Sequence, residues 1–174
     1  VNGSEDIFTI GSVSVQPGVN TSSDKIPITI CLIGTIQGVK CERTLLILCD
    51  SGSSRTWIHK RIIPRNVQGK TVKTIVGQTM AGTLKSSQEV SMNNITFPEF
   101  YRNRMVQSAP ARIFSTPCRY DLIIGRDLLS QLGMKIDFDQ HTMTWDDKTV
   151  AMRPFPHMSQ KFPDIPEPSS ADML

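Results

Sequence analysis

The chain has no apolar run approaching the roughly 18 to 20 residues that a membrane-spanning helix requires. Its first residues, Val1 to Asp6, offer neither a basic start nor an apolar core, so no secretory leader is read there. The expectation is a soluble protein with no membrane partner, working inside the cell in the cytoplasm. Cysteine is scarce as well. Cys31, Cys41, Cys49 and Cys118 lie far apart with no Cys-x-x-Cys pair, which excludes a disulfide-braced scaffold. Cys31 and Cys49 sit inside apolar runs, where a free cysteine behaves as a small buried hydrophobe. His59, His141 and His157 have no metal-ligand spacing with a cysteine or carboxylate, so neither a metal nor a cofactor is expected. Long amphipathic helices, internal repeats and a Gly-x-Ser-x-Gly elbow are all missing. The net charge of +3 is spread along the chain, and its densest basic stretch, His59 to Arg65, is short. No specific nucleic-acid partner follows from it.

What is present is strand chemistry. Eleven Gly, eleven Pro and abundant Val, Ile and Thr between short turn signals predict one all-β domain in these 174 residues. Residues 1–24 are mostly polar, with an alternating stretch from Ile7 to Val15 that suits an edge strand at a dimer contact. Ile26 to Ile33 reads as a strand, Gly34 to Gly38 as a turn, and Thr44 to Cys49 as a second strand that is apolar almost throughout and therefore buried on both faces. Lys70 to Val76 and Gly82 to Met92 predict a hairpin whose polar, glycine-bounded tip has little to bury. Strand character from Phe97 to Phe114 is interrupted by Pro98 and Pro110. Tyr120 to Ile124 is a third apolar strand, and Gly125 to Gly133 a short helix with Asp127 in its first turn and Gly133 as its cap. A meander follows to Met152. Prolines at 154, 156, 163, 166 and 168 then suit a linker, giving a division into 1–24, 25–153 and 154–174.

A carboxylate at the end of an all-apolar strand needs a reason, because an ionised group in a low-dielectric setting is costly unless it is paired or hydrogen-bonded. Asp50 stands in that position. Ser51 follows with a small hydroxyl, and Gly52 lets the backbone turn tightly against another group. Asp-Ser-Gly is also ordinary turn chemistry, so the tripeptide by itself fits a strand-ending turn equally well. Trp57 and Trp145 read as packing anchors.

The segment Leu45 to Ser53, taken with Leu122-Ile123-Ile124-Gly125-Arg126-Asp127-Leu128-Leu129-Ser130-Gln131-Leu132-Gly133, resembles the retropepsins, the proteases of retroviruses and LTR retrotransposons. The downstream Ile136-Asp137-Phe138 and Thr144-Trp145 are most similar to gypsy-type retrotransposon polyproteins. The resemblance implies a retropepsin-like closed β-barrel with one short C-terminal helix, acting as a homodimer on peptide or polyprotein substrates. Asp50 would be the catalytic aspartate, Ser51 the hydroxyl crossing the dimer axis, and Gly52 part of the cleft. Val76, Gly77, Gln78, Thr79, Met80, Ala81 and Gly82 would form a flap over the substrate. Ile123, Ile124 and Gly125 would support the active-site loop, with Arg126 near the interface. Ser54 stands where the viral pattern has an acid, which leaves Asp121, Asp127 or an acid of the second subunit as partners for Arg126. Peptide hydrolysis in this class uses two carboxylates sharing one proton, and one chain supplies one. Two other readings use the same residues differently: a catalytically silent dimerisation or peptide-binding module, and a polyprotein segment for nucleic-acid packaging.

Overall fold

The computed structural model describes residues 24–154. Their order is β1 (Lys25–Ile26), β2 (Ile28–Ile36), β3 (Val39–Lys40), β4 (Thr44–Cys49), β5 (Trp57–His59), a 3₁₀ turn (Lys60–Ile62), β6 (Lys70–Thr79), β7 (Gly82–Thr96), β8 (Met105–Phe114), β9 (Leu122–Ile124), α1 (Arg126–Leu132), β10 (Lys135–Asp137), β11 (Thr142–Trp145), β12 (Lys148–Ala151) and β13 (Arg153–Pro154). Strands β2, β4, β9, β5, β8 and β7 pair in that order, and β7 pairs back onto β2, which closes a six-stranded barrel. Closure removes the exposed edges that an open sheet of these apolar strands would carry. An all-β closed barrel with one short helix is therefore the fold.

The apolar runs explain the centre of the barrel. β4 lies between β2, antiparallel to it, and β9, parallel to it, with Leu48 opposite Ile123 and Cys49 opposite Ile124. Leu45, Ile47, Leu48, Cys49, Leu122, Ile123 and Ile124 are buried, as strands covered on both faces require. Trp145 anchors the β10–β12 meander against the barrel. Its ring meets Phe97, Phe100 and Tyr101 edge-on, and its Nε1–H donates to the Leu132 carbonyl.

Several boundaries differ from the sequence expectation. β2 runs on through Gly34 to Ile36, so the turn is the tight Gln37-Gly38 pair, both residues with positive φ. β6 and β7 extend to Thr79 and from Gly82, which shortens the hairpin tip to Met80-Ala81. Pro110 does not interrupt β8: it faces Ser91 of β7 just before β5 begins pairing at Arg112, where the missing N–H has a strand on one side only. Arg153 and Pro154 pair with Ile26 and Lys25, so strand pairing reaches Pro154, and Arg153 donates to Glu99 and to the Ile28 carbonyl. The Ile7 to Val15 strand and the tail beyond 154 lie outside the described residues. Among the described residues no helix is long and apolar enough to cross a membrane.

Candidate active site

β4 ends by delivering Asp50 out of the core. The Asp50 N–H donates to the Ile124 carbonyl at 2.8 Å, so the ladder between β4 and β9 continues one residue past the strand and fixes where the side chain starts. The residue is 2% exposed. Its Oδ1 accepts from the Gly52 N–H at 2.9 Å and its Oδ2 from the Met80 N–H at 2.7 Å. Both oxygens are thus held by backbone amides, and among the described residues no arginine or lysine bridges to them. Beside it, burial first and the Asp50 charge second push the Cys49 thiol up to about 12.

The loop after Asp50 turns back at once: the Ser53 N–H donates to the Asp50 carbonyl at 3.1 Å, leaving Ser51 and Gly52 exposed. Ser53 is buried, its hydroxyl donating to the Arg55 carbonyl and accepting from Trp57 Nε1. Gly125 lies directly beneath. A Cβ there would sit 2.2 Å from the Arg55 carbonyl oxygen and 2.7 Å from that of Ser53, both backbone atoms, so only glycine fits. Ile124 meets this loop through the Asp50 N–H and Gly125 through the Ser53 and Arg55 carbonyls, while Ile123 pairs with Leu48 and Trp57.

One residue of this support, Thr56, was not singled out in the sequence. Thr56 is buried, donates its hydroxyl to Asp127 Oδ1 at 2.7 Å, accepts from the Gly125 N–H, and gives its own N–H to Asp127 Oδ2. Asp127 therefore clamps the loop as well as lying in the first turn of α1. Trp57, read from the sequence as a packing anchor, adds a second support. The hairpin strand β6 rests on its indole at Gly77, where a Cβ would come within 2.5 Å of the ring. Through Trp57 Nε1 and Ser53, the outer part of the hairpin is tied to the Asp50 loop.

Of the seven residues from Val76 to Gly82, only the Met80 N–H contacts the Asp50 carboxylate. Val76 and Met80 are among the exposed large hydrophobic residues, at 64% and 56%. Met80 and Ala81 also line a cavity of about 220 Å³ with Ile26, Leu48, Cys118 and Tyr120. Cys31, Cys41 and Cys49 are buried, with their thiols pushed above the ordinary range chiefly by that burial, whereas Cys118 is partly exposed. Iodoacetamide at neutral pH is therefore expected to label one cysteine per native chain, and peptide mapping should place it at Cys118. Comparable labelling of Cys49 would contradict the burial described.

The model of the family described as retroviral aspartyl protease matches residues 25–137. The chain belongs to that family. Among solved structures, the retroviral protease-like domain of Ddi1 from Leishmania major matches at 16% identity and a TM-score of 0.50, covering 79% of this chain and 100% of that one. The EIAV protease complexed with the inhibitor HBY-793 matches at 22% identity and a TM-score of 0.42, covering 66% and 95%. None of the curated proteins matches.

In this retroviral aspartyl protease chain Arg126 has its partner close at hand. Its Nη1 donates to the Ser51 carbonyl at 3.0 Å and its backbone N–H to the Ser53 carbonyl at 2.7 Å. Two of the acids weighed for it are committed elsewhere. Asp121 bridges Arg61 at 3.0 Å and accepts from the Leu46 N–H, while Asp127 holds Thr56. Arg126 thus holds the tip of the Asp50 loop from the helix side.

Proposed function

We propose that the protein is an aspartic endopeptidase whose catalytic centre is completed by the Asp50 carboxylate of a second copy. The observation that carries the reading is the carboxylate itself: buried, at the end of a core strand, and held by amides instead of a cation. A structural ion pair would neutralise that charge. Amide donors orient both oxygens without placing an opposite charge beside them.

In the proposed reaction, two Asp50 carboxylates lie side by side and share one proton, since like charges about 3 Å apart do not both ionise. The ionised partner takes a proton from water. The protonated one donates to the scissile carbonyl oxygen, and collapse of the tetrahedral species transfers a proton to the leaving amine. The substrate lies extended under the Val76 to Gly82 hairpin, which acts as a flap, and pairs as an added strand. Exposed Ser51 and Gly52 flank the buried carboxylate, where a twofold axis would bring the same loop of both chains together.

Residues 25–153 form the protease unit in this reading. The similarity of Ile136 to Phe138 and Thr144-Trp145 to gypsy-type elements supports a source in an LTR retrotransposon polyprotein, cleaved inside the cell. The silent-module reading predicts dimers without hydrolysis. Incubating wild-type and Asp50→Asn protein with a peptide library separates the two: Asp50-dependent cuts support the endopeptidase, and identical digests from both proteins reject it.

A further inference from the structure

Resting on the endopeptidase reading, we propose that the isolated chain locks its own half-site, with the Met80 amide serving as a latch that a second copy must displace. A carboxylate that is to share a proton with its twin needs one oxygen free of other donors. Here Gly52 of the same loop holds Oδ1, and Oδ2 is taken by the Met80 N–H from across the site at 2.7 Å. The hairpin tip therefore occupies the second oxygen of the carboxylate that the proposed dyad would use. The Met80 side chain remains 56% exposed, so at the tip the apolar burial comes from Ala81, which packs partly buried against the cluster that holds Ile26, Leu48 and Trp57. Lower down, the hairpin is fixed where Gly77 packs on the Trp57 indole. The fixed point is the Gly77–Leu84 pair, and only the residues from Gln78 to Thr83 lie beyond it.

The turn geometry allows the latch to be removed alone. Thr79 pairs with Gly82 across the two-residue tip, and Gly82 carries the positive φ of 109° while Met80 and Ala81 do not. Met80 thus occupies the first central position of the turn with negative φ, where proline is accepted and the preceding extended residue is compatible with it. The turn is held by Thr79 Oγ1, which accepts from the Ala81 N–H and donates to the Gly82 carbonyl, so it survives without the Met80 N–H. Met80→Pro deletes one donor.

Two measurements test this. Hydrogen exchange at low micromolar chain concentration should show the Met80 amide protected in wild type and released in Asp50→Ala. Sedimentation equilibrium should then show Met80→Pro dimerising about tenfold more tightly, the usual worth of one hydrogen bond to a charged group. Equal exchange at Met80 in wild type and Asp50→Ala would overturn the latch, as would an unchanged or weaker Met80→Pro dimer. Neither readout needs a substrate. A failed digest would reject the endopeptidase while leaving these results to be judged on their own.

Discussion

Asp50→Asn is expected to lower the rate of peptide cleavage by on the order of ten-thousand-fold, while the chain keeps its fold and its melting temperature within a few degrees. The asymmetry follows from what the side chain does in each role. For folding, Asp50 supplies two acceptors to the Gly52 and Met80 N–H groups. Asparagine keeps one carbonyl oxygen, so it turns that oxygen to one amide and loses the other bond, at a cost of about 1 kcal/mol. For chemistry, an amide neither accepts a proton from water nor donates one at neutral pH. Circular dichroism and cleavage assays on the same preparation check both halves. Retained activity would remove Asp50 from the mechanism, and a collapsed fold would mean that the carboxylate is structural.

Gly125→Ala is expected to act through the opposite route. The added methyl has to occupy space 2.2 Å from the Arg55 carbonyl oxygen and 2.6 Å from its carbon, and both belong to the backbone of the loop that carries Asp50. A flexible side chain could move aside, but here the loop would have to lift. Lifting it strains the Arg126 N–H bond to the Ser53 carbonyl, the Gly125 N–H bond to Thr56 and the Thr56 contacts to Asp127. The loss of stability should reach about 3 kcal/mol or more, above the usual cost of overpacking because the obstructing atoms are main chain. Urea denaturation gives the number. A shift below about 1 kcal/mol would mean that the loop is not seated on β9 as described.

Much of this was legible because burial and chemistry left the same trace in the sequence. β4 and β9 are apolar on both faces, so their runs stand out, and an aspartate and a glycine at their ends are conspicuous for the same reason. Gly133 closes α1 with φ 71° and its N–H bonded to the Ser130 carbonyl, as a glycine after a helical pattern predicts. β5 left no such trace. Three residues, Trp57 to His59, are too few for a period, and they become a strand because β8 and β9 pair on either side of them. His59 also looked like part of a basic stretch. In the fold its Nδ1 accepts from the Arg61 N–H and its pKa is lowered, by burial first and then by Arg61. Thr56 and Asp127 are far apart in sequence, and each alone is an ordinary turn or helix-start residue. Their clamp exists only once the loop is folded over Gly125. The Met80 contact with Asp50 was hidden likewise, because a backbone N–H has no identity in a sequence.

The central claim is that one chain holds half of a catalytic site, and mixing wild-type with Asp50→Asn chains tests it most directly. At a fixed total concentration that keeps all chains dimeric, with subunits exchanging freely, an equal mixture leaves about a quarter of the dimers with two aspartates. Cleavage should therefore fall to about a quarter of the wild-type rate, following the square of the wild-type fraction. A fall to one half, linear in that fraction, would show each chain cutting alone and contradict the account.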